Sequence, residues 1–333
     1  MTKIGAIGLG KMGLLHSSIL NTMQDTKIVA VCEKQAIVRL LAKRILPSIK
    51  IVRDLEDMES EGIDAYYVTA SVAAHYHIVK ELYTSLAARN IFVEKPLCMS
   101  TAQSREICEM ASKHIGTAMV GYNKRFSATF KKAHDLIKSG RLGNIVHVTA
   151  TAFSSDFHST NEFEPQAYAR GGVLRDLGCH AIDLLHWLIG EFTVKSAEVL
   201  TKSRAGLSYV NEVQATLLFD EVIEGDLTVS WCKEDYRLPR VDIQVQGTTT
   251  KLLLNEDRLE LVNGDKRTLI RRNELETGMP FFLGESSYYC EDEMFINAVR
   301  SNKTVDIDFA TACLTDVAID EILSKAAVKE AYA

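Results

Sequence analysis

Lys95 stands in Ile91-Phe92-Val93-Glu94-Lys95-Pro96-Leu97, where three β-favouring apolar residues are followed by two charges and a proline that ends the strand. A lysine at the carboxyl end of a strand in an open parallel sheet faces the crevice where such sheets bind ligands. An ammonium there can hydrogen-bond a hydroxyl and stabilise the oxygen anion left when its proton departs. A second polar set follows at Asp176, with His180, Asp183 and Trp187 at offsets of four, seven and eleven, which places all four on one stripe of a helix. Leu177, Ala181, Leu184, Leu185 and Leu188 form the neighbouring stripe, which must pack inward, so both acids and the imidazole lie along the edge of a buried surface. An imidazole held beside a carboxylate suits proton transfer near neutrality. Taken singly, each feature has a plainer reading as a solvated lysine or an i,i+4 helix contact. His186 projects from another face and reads as structural.

A third set can hold a dinucleotide. The apolar strand Lys3 to Ile7 runs into Gly8-Leu9-Gly10-Lys11-Met12-Gly13 and then a helical pattern through Leu14, Leu15, Ile19 and Leu20. Gly8 permits the tight turn, Gly10 lets backbone approach a pyrophosphate, and Gly13 allows close packing of helix on strand. The second strand, Ile28 to Glu33, ends in an acid twenty positions after Gly13. A carboxylate there accepts from ribose hydroxyls and repels a 2′-phosphate, which favours NAD over NADP; Lys34 and Arg39 leave NADP open. His75, early in a helix that follows a strand, is placed either near the nicotinamide or at a surface or cap.

Strands at Ile49 to Val52, Asp64 to Thr69 and Thr117 to Gly121 alternate with helices at Gln35 to Leu46, Val72 to Ala88 and Thr101 to His114, the rhythm of a doubly wound parallel sheet. After Gly121 the rhythm changes. A helix over Ser127 to Ser139 and a strand over Asn144 to Phe153 precede segments whose apolar residues recur every second position, as in Val213, Ala215, Leu217 and Phe219. The expected fold is α/β, with an N-terminal Rossmann domain at 1–121 and a C-terminal α/β domain at 122–333 built on a large, mostly antiparallel open sheet. Gly140 to Gly143 and Asn263-Gly264-Asp265 read as turns.

The bulk numbers exclude several classes. At 333 residues, 47% hydrophobic and 25% charged, the chain is an ordinary globular one with room for two cores. Its net charge of -6 and lack of a basic stripe give no reason to expect a nucleic-acid partner. No apolar run approaches the ~20 residues of a membrane span, and the N-terminus lacks the pattern of a signal peptide, so the expected location is the cytoplasm, with no membrane partner. Seven scattered cysteines fit a reducing compartment and form no zinc pattern. Asp156 and His158 are two ligands without a third, so no metal is expected.

Gly8-x-Gly10-x-x-Gly13, Glu94-Lys95-Pro96 and Gly171-Gly172-x-x-x-Asp176-x-x-x-His180 together resemble the Gfo/Idh/MocA family of glucose-fructose oxidoreductase, inositol dehydrogenase and rhizopine-catabolism proteins. Gly121 to Phe126 and the Ile182 to Gly190 stretch extend the likeness over nearly the whole chain. The resemblance implies reversible oxidation of a secondary alcohol on a sugar, cyclitol or related polyol by NAD or NADP, and a homodimer or homotetramer. It implies Lys95, Asp176 and His180 as the catalytic set. Gly8, Leu9, Gly10, Lys11, Met12, Gly13, Glu33, Ala70, His75, Glu94 and Lys95 fall to the cofactor. Tyr122, Asn123, Arg125, Tyr168 and Arg170 join the catalytic residues around the substrate, with ion pairing between domains the alternative for both arginines. Where many members have Thr-Pro before the helix of His75, this chain has Ala70-Ser71, a departure in the nicotinamide-side loop. Two other activities fit the same fold: glycoside hydrolysis or elimination through transient NAD redox, and redox-inactive nucleotide sensing.

Overall fold

The computed structural model describes residues 1–156, 170–201, 210–276 and 285–331. They fall into two compact units, one of Met1–Asn123 with Phe281–Cys313, the other of Lys124–Pro280 with Leu314–Ala333. In the first unit, β1 (Thr2–Ile7), α1 (Lys11–Leu20), β2 (Thr26–Cys32), α2 (Ala36–Ile45), β3 (Lys50–Val52), β4 (Ala65–Val68), α3 (Val72–Thr84), β5 (Ile91–Glu94), α4 (Thr101–Ser112) and β6 (Ala118–Gly121) come in that order. The strands lie β3-β2-β1-β4-β5-β6, and every pairing is parallel. Every residue of β4 and β5 is buried, as strands covered by helices on both faces must be. Strand order reverses between β1 and β4, the switch point at which such sheets open a crevice at their carboxyl edge.

The second unit contains α5 (Ala128–Lys138), β7 (Ile145–Phe153), α6 (Cys179–Leu188), β8 (Phe192–Thr201), β9 (Glu212–Phe219), β10 (Ile223–Ser230), β11 (Arg240–Gly247), β12 (Lys251–Leu254), β13 (Arg258–Asn263), β14 (Lys266–Arg271) and the short α7 (Arg272–Leu275). Its eight strands are ordered β14-β13-β12-β11-β7-β10-β9-β8, antiparallel except for the β7–β10 pair. The two-residue periodicity becomes one buried face, with Val241, Ile243 and Val245 of β11 aligned with Leu227 and Val229 of β10. Leu177, Ala181, Leu184 and Leu188 are buried with it. Gly264 takes a left-handed φ of 56° in the two-residue turn that sets Asn263 opposite Lys266.

Two helices that the motifs do not announce complete the chain, α8 (Ser286–Ser301) and α9 (Phe309–Ala331). The first unit reclaims α8, whose Phe295 is buried against Tyr67 and Phe92 and whose Ile296 is also buried. A cut after Gly121 therefore does not match the grouping of the chain here: the first unit is closed by a segment from near the other end.

Candidate active site

The glycine turn is shaped by contacts that a methyl group would destroy or fill. Gly8 has φ 93°, and a Cβ there would lie 2.9 Å from the Ala70 nitrogen. At Gly13 the added carbon would sit 2.0 Å from the Gly8 carbonyl oxygen, so α1 packs on the turn only because nothing is there. Gly10 differs: a Cβ would meet nothing within 4 Å, so this residue borders open space at the start of α1. That is the arrangement a pyrophosphate needs, with backbone N–H groups exposed at a helix start and no side chain in the way. Lys11 and Met12 complete the first turn of the helix.

Glu33 closes the turn from β2. Its Oε2 accepts the Leu9 N–H at 2.8 Å and its Oε1 the Gln35 N–H at 2.8 Å, which leaves further lone pairs for hydroxyl donors. The two neighbouring cations are engaged elsewhere. Lys34 pairs with Asp54 at 2.8 Å, while Arg39 donates to the carbonyl oxygens of Glu33 and Lys34. The open turn and the carboxylate that closes it are residues that could hold a dinucleotide.

Lys95 leaves β5 at the same edge of the sheet, and its peptide to Pro96 is cis. Its N–H donates to Oε2 of Glu94 at 2.9 Å, and the other Glu94 oxygen faces the Nε2 of His16 at 2.9 Å. His75 is neither at the surface nor a cap. It is almost fully buried, with Nδ1 3.0 Å from the Pro96 carbonyl oxygen and Nε2 3.1 Å from that of Ala70. Burial pushes its pKa down, against the pull of these carbonyls. The ring therefore staples the loop after β4 to the loop after β5.

In the second unit the expected helix is not regular. Leu174–Gly178 forms a π-helical turn before α6, and Gly171 and Gly172 both take left-handed φ values, 77° and 82°. The wider turn changes the angular phase between Asp176 and the residues of α6. Asp183 does not lie at the boundary with Asp176 and His180 but in the interior. It is fully buried and gripped by Arg125 through Nε to Oδ2 at 2.9 Å and Nη2 to Oδ1 at 2.6 Å. Asp176 is partly exposed and accepts from Arg170 at 3.2 Å, while Arg170 also pairs with Asp156 at 2.7 Å. His180 is half-buried on the first turn of α6.

These contacts sort the substrate candidates. Arg125 is buried in a bidentate ion pair, and its partner lies in its own unit, so the expected pairing between domains is not the one seen here. Tyr122 is wholly buried, and Asn123 donates to Ser287 at 3.3 Å. Arg170 is 40% exposed beside Asp176. Tyr168 and His158 lie outside the described residues. His186 is stacked on Phe192 with ring centres 4.5 Å apart, in line with a structural residue.

His16, Asp292 and Glu291 escape a reading of the sequence. His16 bonds to Asp292 at 2.8 Å across 276 positions, and no local pattern connects α1 to α8. The available signal was a lone histidine on the buried side of α1, beside Ile19 and Leu20.

A model of the GFO/IDH/MocA oxidoreductase family, NAD-binding Rossmann fold, matches residues 2–122, and the family's C-terminal domain model matches residues 130–253. An uncharacterized oxidoreductase, YrbE of Bacillus subtilis (strain 168), is 28% identical over 65% of this chain; the match spans 63% of that relative, less than two thirds of its length. Inositol 2-dehydrogenase of Rhizobium meliloti (strain 1021) is 24% identical over 97% of both chains. The fold is that of levoglucosan dehydrogenase in complex with NADH and L-sorbose, with a TM-score of 0.85 at 19% identity over 98% of this chain and 96% of that one.

Proposed function

The chain belongs to the GFO/IDH/MocA oxidoreductase family, and we propose that it is a dehydrogenase transferring a hydride between a secondary alcohol of a sugar or cyclitol and NAD. One observation carries the reading: a lysine clasped at the end of β5, on the edge of the sheet that bears the open turn at Gly10. The first unit holds the dinucleotide and the second the substrate. Gly8 to Gly13 receive the pyrophosphate on backbone donors, and Glu33 accepts from the adenosine ribose. Glu33 and the engagement of Lys34 and Arg39 favour NAD over NADP.

When bound, the nicotinamide supplies a hydride acceptor; that chemistry is the cofactor's own. Lys95 hydrogen-bonds the substrate hydroxyl and stabilises the alkoxide character that develops there. His180 accepts the hydroxyl proton, and the carbon that loses its hydride becomes a carbonyl carbon. Asp176, steadied by Arg170, orients the imidazole and a neighbouring hydroxyl. Arg170 and Tyr168 remain the candidates for substrate recognition, while Tyr122, Asn123 and Arg125 support the site from within.

The test is a panel of cyclitols, aldoses and other polyols offered with NAD and with NADP, monitored by the absorbance of the reduced nicotinamide. Net reduction by at least one cyclitol or sugar, faster with NAD, is expected. Release of aglycone from a glycoside without net reduction would instead establish transient redox chemistry. Lys95→Ala should lower kcat by about a hundredfold or more while leaving NAD affinity within about threefold; turnover within tenfold of wild type would remove Lys95 from the chemistry.

A further inference from the structure

At the centre of the first unit three elements place ionisable side chains in one fully enclosed cluster. His16 comes from α1, Glu94 from the end of β5, and Asp292 with Glu291 from α8. The Nδ1 of His16 is 2.8 Å from Oδ1 of Asp292 and its Nε2 is 2.9 Å from Oε1 of Glu94. Tyr67 of β4, Phe92 of β5 and Tyr288 of α8 pack their rings 5.8, 5.1 and 6.0 Å from the imidazole, enclosing it in aromatic side chains. Carboxylates accept and do not donate, and a neutral imidazole has one N–H. An imidazolium, which has two, satisfies both contacts.

His16, Glu291 and Asp292 also present ligand atoms within 4.8 Å of one another. A cation would need an unprotonated ring nitrogen, whereas both nitrogens here face acceptor oxygens, so a proton is the better occupant. The electrostatics agree. Burial pulls the His16 pKa down, but Asp292 and Glu94 outweigh it and hold the group well above the usual imidazole range. Burial likewise lifts Glu94, but His16 and then Lys95 bring it below the ordinary carboxylate value. Asp292 is pushed up, chiefly by burial, against the opposing pull of His16.

Building on the role proposed for Lys95, we infer that His16 is a positioning residue for that lysine, acting through Glu94. The imidazolium keeps the Glu94 carboxylate charged and turned toward the Lys95 backbone N–H, and the charges of Glu94 and Lys95 act on each other through space. The helix that begins at the dinucleotide turn is thereby tied to the orientation and charge of the lysine at the neighbouring strand end.

The inference is tested on Lys95 itself. Removing the imidazolium lets buried Glu94 take up a proton, which takes away one negative charge acting on the Lys95 ammonium and lowers its pKa. Competitive acetylation of the full-length protein at about pH 8, read by mass spectrometry on the Lys95 peptide, should speed up about threefold or more in His16→Gln, the equivalent of about half a pKa unit. Glu94→Gln should do the same, and the double variant should add nothing beyond either single change. The pH profile of kcat should shift to lower pH in His16→Gln along the limb that Lys95 governs. Unchanged Lys95 labelling in folded His16→Gln, or multiplicative effects in the double variant, would overturn the inference. A wild-type measurement covers the case in which the variants fail to fold: at about pH 8 the ring nitrogens of His16 should give imidazolium 15N shifts, and a neutral ring would sink the idea. Labelling and NMR need no substrate. If Lys95→Ala keeps full turnover, the catalytic assignment falls while the coupling between His16 and Lys95 is still decided by these readouts.

Discussion

Glu33 has a structural role on view and, under the proposed function, a role in cofactor choice. Its two oxygens hold the amides of Leu9 and Gln35, and in the proposed reading the same negative charge would oppose a 2′-phosphate. Glu33→Ser should therefore raise the ratio of kcat/KM for NADP over NAD by about tenfold, roughly 1.4 kcal/mol; an unchanged ratio would show that the carboxylate does not read the ribose. His186 illustrates a residue whose charge state matters to stability and not to chemistry. Burial, with Arg125 nearby, pushes its pKa down to about 4. The folded form therefore favours the neutral ring, and the unfolded chain binds more protons between about pH 6.5 and 4. The stabilisation is complete above the unfolded value and is lost as pH falls through that window, by about 3 kcal/mol. Urea unfolding at the two ends of the window should show this component in wild type and not in His186→Gln. The positions of Lys95 and Glu33 just after β5 and β2 were legible because a strand end and a twenty-residue spacing are local signals. Arg125 was not, because its bidentate hold on Asp183 joins positions 58 apart in the chain.

At the scale of elements, the glycine turn separates two uses of the same residue. Gly13 is required because α1 lies against the Gly8 carbonyl, and Gly10 because of the ligand that must approach from outside. Gly13→Ala should cost about 3 kcal/mol of folding stability by forcing the helix off the turn. Gly10→Ala should change stability by no more than about 0.5 kcal/mol yet weaken NAD binding about tenfold. Thermal unfolding with and without NAD distinguishes them, and a Gly10→Ala protein that is stabilised by NAD as well as wild type would contradict the assigned cradle. The π-turn at Leu174–Gly178 marks where periodicity misleads. A stripe drawn at about 100° per residue assumes an unbroken α-helix, and one wide turn breaks the phase between Asp176, which lies at the boundary, and Asp183, which is buried. Two tandem left-handed glycines, Gly171 and Gly172, were the visible hint that the entry to α6 is irregular.

For the molecule as a whole, the resemblance to the family implies an assembly of two or four chains, and sedimentation velocity at micromolar concentration should find a dimer or tetramer; a clean monomer would contradict it. Among the described residues no helix is long and apolar enough to cross a membrane. The alternation of strands and helices through Gly121, the two-residue period beyond it, and the three motifs were all written in runs of a few residues, where backbone sterics and side-chain periodicity act. Those local forces determined the parallel sheet, the antiparallel sheet and the dinucleotide turn. Tertiary structure alone decided that α8 returns to the first unit, that His16 meets Glu94 and Asp292, and that Asp183 is given to Arg125. The reason is physical: a buried charge must find its partner wherever the packed core brings one, and the distance along the chain places no mark on either residue.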